Sequence, residues 1–194
     1  RRIWEFVRTA LGDIMKTLVA YYSRTNITKK LALEIAEAVN ADTEEIISKV
    51  NYDGKLGYVR AGKDGMTAKI IKIGDLKYDP SNYDMVYLGV PVWAGKAANP
   101  MISYIKQNEG KFNNVKFFVT AGSSGFESAF KQMEDFVGKS PLKTLSLTTK
   151  EVKKGEYMSE KKSLGDQLKE FYGMPWWMYL AFLAFAFVCM YTEV

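Results

Sequence analysis

Two textures alternate along the chain. In one, nearly every residue is apolar and β-favouring: "TLVAYYS" (17–23), "DMVYLGVPVW" (84–93), "VKFFVTA" (115–121) and "LKTLSLTT" (142–149), with "EEIIS" (44–48) as a weaker member. In the other, apolar residues recur every three or four positions, as on one face of a helix. "TKKLALEIAEAVN" (28–40) places Leu31, Ile35 and Ala38–Val39 in register, and "NPMISYIKQ" (99–107) opens another helix. "GFESAFKQMEDFVG" (125–138) aligns Phe126, Ala129, Phe130, Met133 and Phe136–Val137, and "SEKKSLGDQLKEFY" (159–172) aligns Leu164, Leu168 and Phe171–Tyr172. Residues 51–66, rich in glycine and charge, read as a loop. Near-continuous apolar strands alternating with helices predict a parallel sheet covered on both faces. The fold class is therefore α/β, a doubly wound five-stranded parallel sheet of order 2-1-3-4-5 with the weak second strand at an edge.

The flanks break this alternation. Residues 1–14, "RRIWEFVRTALGDI", read as an amphipathic helix with Ile3, Val7, Ala10, Leu11 and Ile14 on one face. Residues 173–194 contain "MPWWMYLAFLAFAFVCMY" (174–191), an uncharged run of 18 residues. As a helix it would be about 27 Å long, near the thickness of a bilayer core. Trp176, Trp177 and Tyr179 sit near one end and Tyr191 marks the other, as interfacial aromatics do. The expected organisation is a helical flank (1–14), an α/β domain (15–172) and a transmembrane helix (173–194) in contact with lipid. The lysines lie on the domain side of that helix, which places the domain in the cytoplasm. The chain opens on Arg1 rather than methionine, as expected of a fragment or processed product.

Composition narrows the chemistry. The chain of 194 residues has no histidine and one cysteine, Cys189. That excludes His-dependent triads, an intrachain disulfide and the usual zinc sites, and no catalytic or metal residue is assigned. The formal charge of +5 suits an anionic ligand or membrane face without specifying either, and no feature points to nucleic acid. Any redox or transfer chemistry falls to a cofactor.

In a doubly wound sheet, ligands bind beyond the carboxyl ends of the strands. The loop after the first strand, "SRTNIT", gathers hydroxyls from Ser23, Thr25 and Thr28 at a helix beginning near Thr28, where unpaired amides and the helix dipole favour a phosphate. Lys29 and Lys30 in the first turn oppose that dipole, a cost a bound phosphate would offset. After the third strand comes "PVWAGK" (Pro91, Val92, Trp93, Ala94, Gly95, Lys96), an indole beside a flexible peptide. After the fourth comes "AGSSGF" (Ala121, Gly122, Ser123, Ser124, Gly125, Phe126), small residues that let backbone approach a ring edge. Together they describe a site for a flat, phosphorylated cofactor.

Residues 15–172 resemble a flavodoxin. The family's phosphate loop commonly reads Ser/Thr-x-Thr-Gly-Asn-Thr, and here it is Ser23, Arg24, Thr25, Asn26, Ile27, Thr28, with Asn26 where the family has glycine. The resemblance implies FMN bound non-covalently through the three loops, Trp93 at the flavin ring, and electron transfer between redox partners. The peptide at Ala94-Gly95 is then expected to reorient toward the flavin, and Lys96 to favour its reduced, anionic form. Two other readings fit the flanks: an FMN-dependent NAD(P)H:quinone reductase, and a flavodoxin module fused into a membrane protein as passenger or scaffold. A receiver-type signalling domain shares the topology, but Ser23 and Trp93 occupy the places where it needs acidic residues.

Overall fold

The computed structural model describes residues 15–155. The segments expected to be an amphipathic helix (1–14), the last helix of the α/β domain (159–172) and a transmembrane helix (174–191) lie outside the described residues. Among the described residues, no helix is long and apolar enough to cross a membrane.

A central parallel sheet is built from β1 (Thr17–Tyr21), β2 (Asp42–Glu45), β3 (Met85–Trp93), β5 (Val115–Ala121) and β6 (Lys143–Thr148), and β4 (Lys96–Ala97) folds back antiparallel on β3. The order is β2-β1-β3-β5-β6, with β4 off this path. The expected doubly wound α/β architecture is present, but the sheet has six strands rather than five. The added strand is the short hairpin after Trp93, and without it the parallel strands keep the expected order. β1 is buried throughout, and β3 and β5 are buried at most positions, as strands covered on both faces must be.

The helices are α1 (Ile27–Val39), α2 (Gly54–Thr67), α3 (Asn99–Gln107), α4 (Phe126–Val137) and α5 (Thr149–Lys154). Side chains alternate across the sheet. Leu18, Ala20, Val86, Leu88, Phe117 and Val119 join Met101, Ile102, Ile105 and Met133 of α3 and α4 in the main core. On the other side α1 crosses β1, β3 and β5 and buries Leu31, Ala32 and Ala36. Gly89 is obligatory there, because a Cβ at that position would lie 1.9 Å from the Phe118 ring.

Three local readings are corrected. Residues 51–66 are not a loop, since α2 occupies Gly54–Thr67. Its buried residues are Gly57, Ala61 and Gly65, at spacings of four, so the stripe that packs is made of small residues and gives little hydrophobic signal. The second strand is Asp42–Glu45, displaced toward the N-terminus from "EEIIS"; the Ile46 amide still donates to the Tyr21 carbonyl (2.8 Å), and pairing ends there. α5 follows the last strand directly. Its start is a capping box: the Thr148 amide donates to Glu151 Oε2 (2.6 Å) and the Glu151 amide to Thr148 Oγ1 (3.2 Å).

Candidate cofactor site

The first loop leaves β1 at Tyr22, whose amide donates to the Gly89 carbonyl (2.9 Å) and holds the loop root on the sheet. Burial pushes the Tyr22 phenol up to about 12, so it stays a neutral ring in the physiological range. The next side chain, Ser23, has a buried Oγ with no hydrogen-bond partner. Asn26 turns the chain with φ 61° and is the N-cap of α1, yet it makes no side-chain cap hydrogen bond. Asparagine tolerates this left-handed conformation better than most residues, so the glycine of the usual loop is not required. The amides opening α1 are thus left without a cap from Asn26, next to an orphaned hydroxyl. Orphaned buried polar groups are rare because they forfeit their bonds to water. A phosphate oxygen fits both needs.

Thr28 sits deeper than expected. It is buried, and its hydroxyl pairs with the Thr120 hydroxyl (2.8 Å) at the end of β5. The two share one hydrogen bond, which leaves one of the two protons for another acceptor. The basic first turn of α1 is also accounted for. Lys29 pairs with Glu45 (2.6 Å) and Lys30 donates to the Val152 carbonyl (3.0 Å), so both cations are drawn toward neighbouring elements. Arg24 lies over the ring of Tyr58 in α2, 5.3 Å from its centroid. Thr25 and Asn26 are exposed, and Ile27 is half-buried.

The second loop is a two-residue hairpin turn. Trp93 pairs with Lys96, and Ala94 (φ 47°) and Gly95 (φ 79°) are both left-handed, as a type I′ turn requires. Ala94 and Lys96 are exposed and Gly95 is half-buried, while Pro91 and Val92 are half-buried beneath them. The Pro91 carbonyl accepts from the Ala98 amide (3.1 Å), and Gln132 of α4 accepts from the Ala97 amide (2.8 Å), so the hairpin is held from both sides.

Trp93 departs from the expected open aromatic wall. It is only 8 % exposed, with Tyr22 and Tyr52 packed at inclined angles against it (ring centroids 5.5 and 4.7 Å) and Gly65 close to its backbone. Its large ring is worth more in the core than in water. The aromatic group standing open near this end is instead Tyr58.

The third loop runs from Ala121, whose carbonyl accepts from Thr149 Oγ1 (3.1 Å), through exposed Gly122, Ser123 and Ser124 to Gly125. Gly125 is left-handed (φ 90°) and caps α4, while Phe126 packs against the main core. A Cβ on Gly125 would lie 2.8 Å from Val92 Cγ1 and 2.9 Å from Gly95 Cα, so only glycine lets this loop touch the second. Sheet topology thus gathers all three expected loops at one end. Sequence reading missed Thr120, Tyr52, Tyr58 and Gln132, which brace the site from outside the loops. Of these, Thr120 is the next-to-last residue of a mostly apolar strand, where a buried polar residue signals a functional edge. Among the described residues, no group of three or more acidic or thiol side chains could hold a metal ion.

A doubly wound sheet with a phosphate-shaped first loop and two small-residue loops beside it is the arrangement of a flavodoxin-like protein. The flavodoxin family model matches residues 16–159, and the chain belongs to that family. A flavoprotein from Lactobacillus acidophilus NCFM, solved in complex with FMN, is 25% identical, with a TM-score of 0.61 over 72% of this chain and 97% of that one. A Bacteroides uniformis protein assigned as a flavoprotein is 26% identical, with a TM-score of 0.63 over 74% of this chain and 98% of that one. No curated protein matches the chain.

Proposed function

We infer that the chain binds FMN non-covalently and carries electrons between redox partners at a membrane. The observation that carries this reading is the buried, unpartnered Ser23 hydroxyl beside the left-handed Asn26 turn and the uncapped start of α1. Family membership and the FMN in the L. acidophilus flavoprotein support the same cofactor. Bound FMN supplies the redox chemistry, and the protein supplies binding and electrostatics. Ser23, Arg24, Thr25 and the first amides of α1 hold the phosphate. The Ala94-Gly95-Lys96 turn and residues 122–125 border the ring, and Lys96 sets a positive charge beside it. The uncharged run 174–191 supports membrane attachment, and the lysines on its domain side support a cytoplasmic domain facing redox proteins or a quinone.

A visible absorption spectrum of the purified protein tests the cofactor. Flavin bands at about one FMN per chain are expected, following the one phosphate loop of the fold. A folded protein that neither carries nor takes up FMN overturns the reading. A carrier oxidises almost no NAD(P)H by itself; sustained turnover with quinone would replace the carrier with a reductase. A second reading follows from coverage. The match spans 97% of the L. acidophilus flavoprotein but 72% of this chain, which favours a flavodoxin module joined to further segments, as in a fusion where it serves as passenger or scaffold. Deleting the module without loss of the membrane protein's activity would favour the passenger.

A further inference from the structure

α2 differs from its neighbours in what it turns outward. Its inner stripe is made of small residues: a Cβ on Gly57 would lie 2.1 Å from the backbone of Tyr52 in the preceding connection, and one on Gly65 2.8 Å from the carbonyl oxygen of Trp93 in β3. Its outer side carries Leu56 (87 % exposed), Val59 (69 %) and Met66 (73 %), with Tyr58 at the flank. Of nine exposed large hydrophobic residues in the described chain, five lie between Leu56 and Ile70, so they form a patch and are not scattered singly. Lys55, Arg60 and Lys63 are interleaved with them and exposed. None of the three forms an ion pair among the described residues, whereas Lys131 of α4 has Asp135 at 2.6 Å. The one acidic residue of α2, Asp64, accepts from the Tyr52 hydroxyl (2.9 Å) and is drawn inward.

We propose that α2 is a lipid-contacting helix that lies on the anionic face of a bilayer. Leu56, Val59 and Met66 enter the headgroup boundary, and Lys55, Arg60 and Lys63 meet lipid phosphates, the division of labour of an interfacial basic helix. A second copy fits this surface less well, because it would oppose like charges. An acidic soluble protein matches the charge, but the uncharged run 174–191 of the same chain favours a bilayer as the nearby partner. The surface is independent of the cofactor. Its consequence rests on the FMN reading: α2 meets the first loop through Arg24–Tyr58 and the second through Trp93, so lipid contact turns the cofactor end toward the membrane surface, where a lipid-soluble electron acceptor is within reach.

Hydrogen exchange of the full chain tests this. The chain is mixed with phosphatidylcholine vesicles prepared with or without anionic phosphatidylglycerol, a charge the three cations should sense. Exchange is read only in samples where the chain co-floats equally with both vesicles, so a difference at residues 54–67 reports α2. Exchange there is expected to slow by roughly tenfold on the anionic vesicles. The variant Lys55→Glu/Arg60→Glu/Lys63→Glu, exposed at every site, loses the effect while the β5 core strand keeps its protection. Equal exchange on both vesicles overturns the proposal, as does protection that survives the charge reversal. Protection that rises with protein concentration in detergent alone marks a second copy, and protection only by added acidic protein marks a soluble partner; either overturns it. The flavin spectrum of the same samples reports the cofactor separately.

Discussion

Replacing Ser23 by alanine separates two roles that a buried hydroxyl can play. The Ser23 Oγ is buried and unpartnered, so it has given up water without gaining a protein acceptor. Such a group costs roughly 1–3 kcal/mol. Ser23→Ala removes that cost, and the FMN-free protein is expected to gain on the order of 1 kcal/mol, read as a higher urea midpoint at unchanged slope. A hydrogen bond to a charged phosphate contributes about 1.5–3 kcal/mol. FMN affinity is therefore expected to fall by roughly 10- to 100-fold in a fluorescence titration, while riboflavin, which has no phosphate, binds as to the parent protein. The two effects have opposite signs, which a mere packing role cannot produce. Lower stability of the FMN-free variant with an unchanged FMN dissociation constant would refute the reasoning and make Ser23 an ordinary structural residue.

Four further outcomes are expected. Asn26→Gly keeps the left-handed turn and the FMN affinity, whereas Asn26→Ala costs about 1–2 kcal/mol of stability by urea titration and weakens FMN binding; equal behaviour of the two would show that the turn is unimportant. Gly89→Ala drives a Cβ into the Phe118 ring and destabilises by at least about 1–3 kcal/mol, with partial recovery of the melting temperature in Gly89→Ala/Phe118→Leu. Asp79 is held down at about 2, foremost by the Ser81 amide and then by Lys111 and the Ser81 hydroxyl. Its folded value lies below the ordinary carboxylate value of 3.8, so its contribution is full above that pH and is lost as pH falls toward 2; Asp79→Asn should flatten the acid limb of the urea midpoint in that window. Lys96→Glu should lower the reduction potential of the bound flavin in a redox titration, by replacing an attractive charge near the reduced cofactor with a repulsive one.

β1, β3, β5 and the helices α1, α3 and α4 were legible because each buries an apolar face, whereas β6 is legible from its alternating apolar residues although only Leu147 of it is buried. β5 is Val115–Ala121, as its mostly apolar, β-favouring run predicts, and α4 begins and ends within one residue of its pattern. α2 was illegible for a physical reason. Its packing stripe is Gly57, Ala61 and Gly65, while its larger apolar residues face out, so a search for buried hydrophobic periodicity reads it backwards. α5 is masked in the sequence although Thr148-x-x-Glu151 spells its cap, because the β-favouring run 142–149 extends through Thr148 and Thr149. At the site, Asn26 stands where the family's loop has glycine, and the structure holds it left-handed there. The burial of Trp93 was not readable, because the rings that enclose it, Tyr22 and Tyr52, come from separate segments brought together only by the fold.

The hairpin after Trp93 holds an alanine in a backbone conformation that alanine disfavours by about 1–2 kcal/mol. Hydrogen bonds from the Ala98 and Ala97 amides to the Pro91 carbonyl and to Gln132 anchor its far side, and Gly125 lies against its tip. The turn behaves as a loaded spring seated in a rigid frame. Work already stored at Ala94 is returned when that residue relaxes, so resetting the turn takes less from a bound ligand than it would from a relaxed loop. Because Gly125 of the third loop lies against Gly95, a change in the turn bears directly on that loop, and two connections far apart in the chain are mechanically joined.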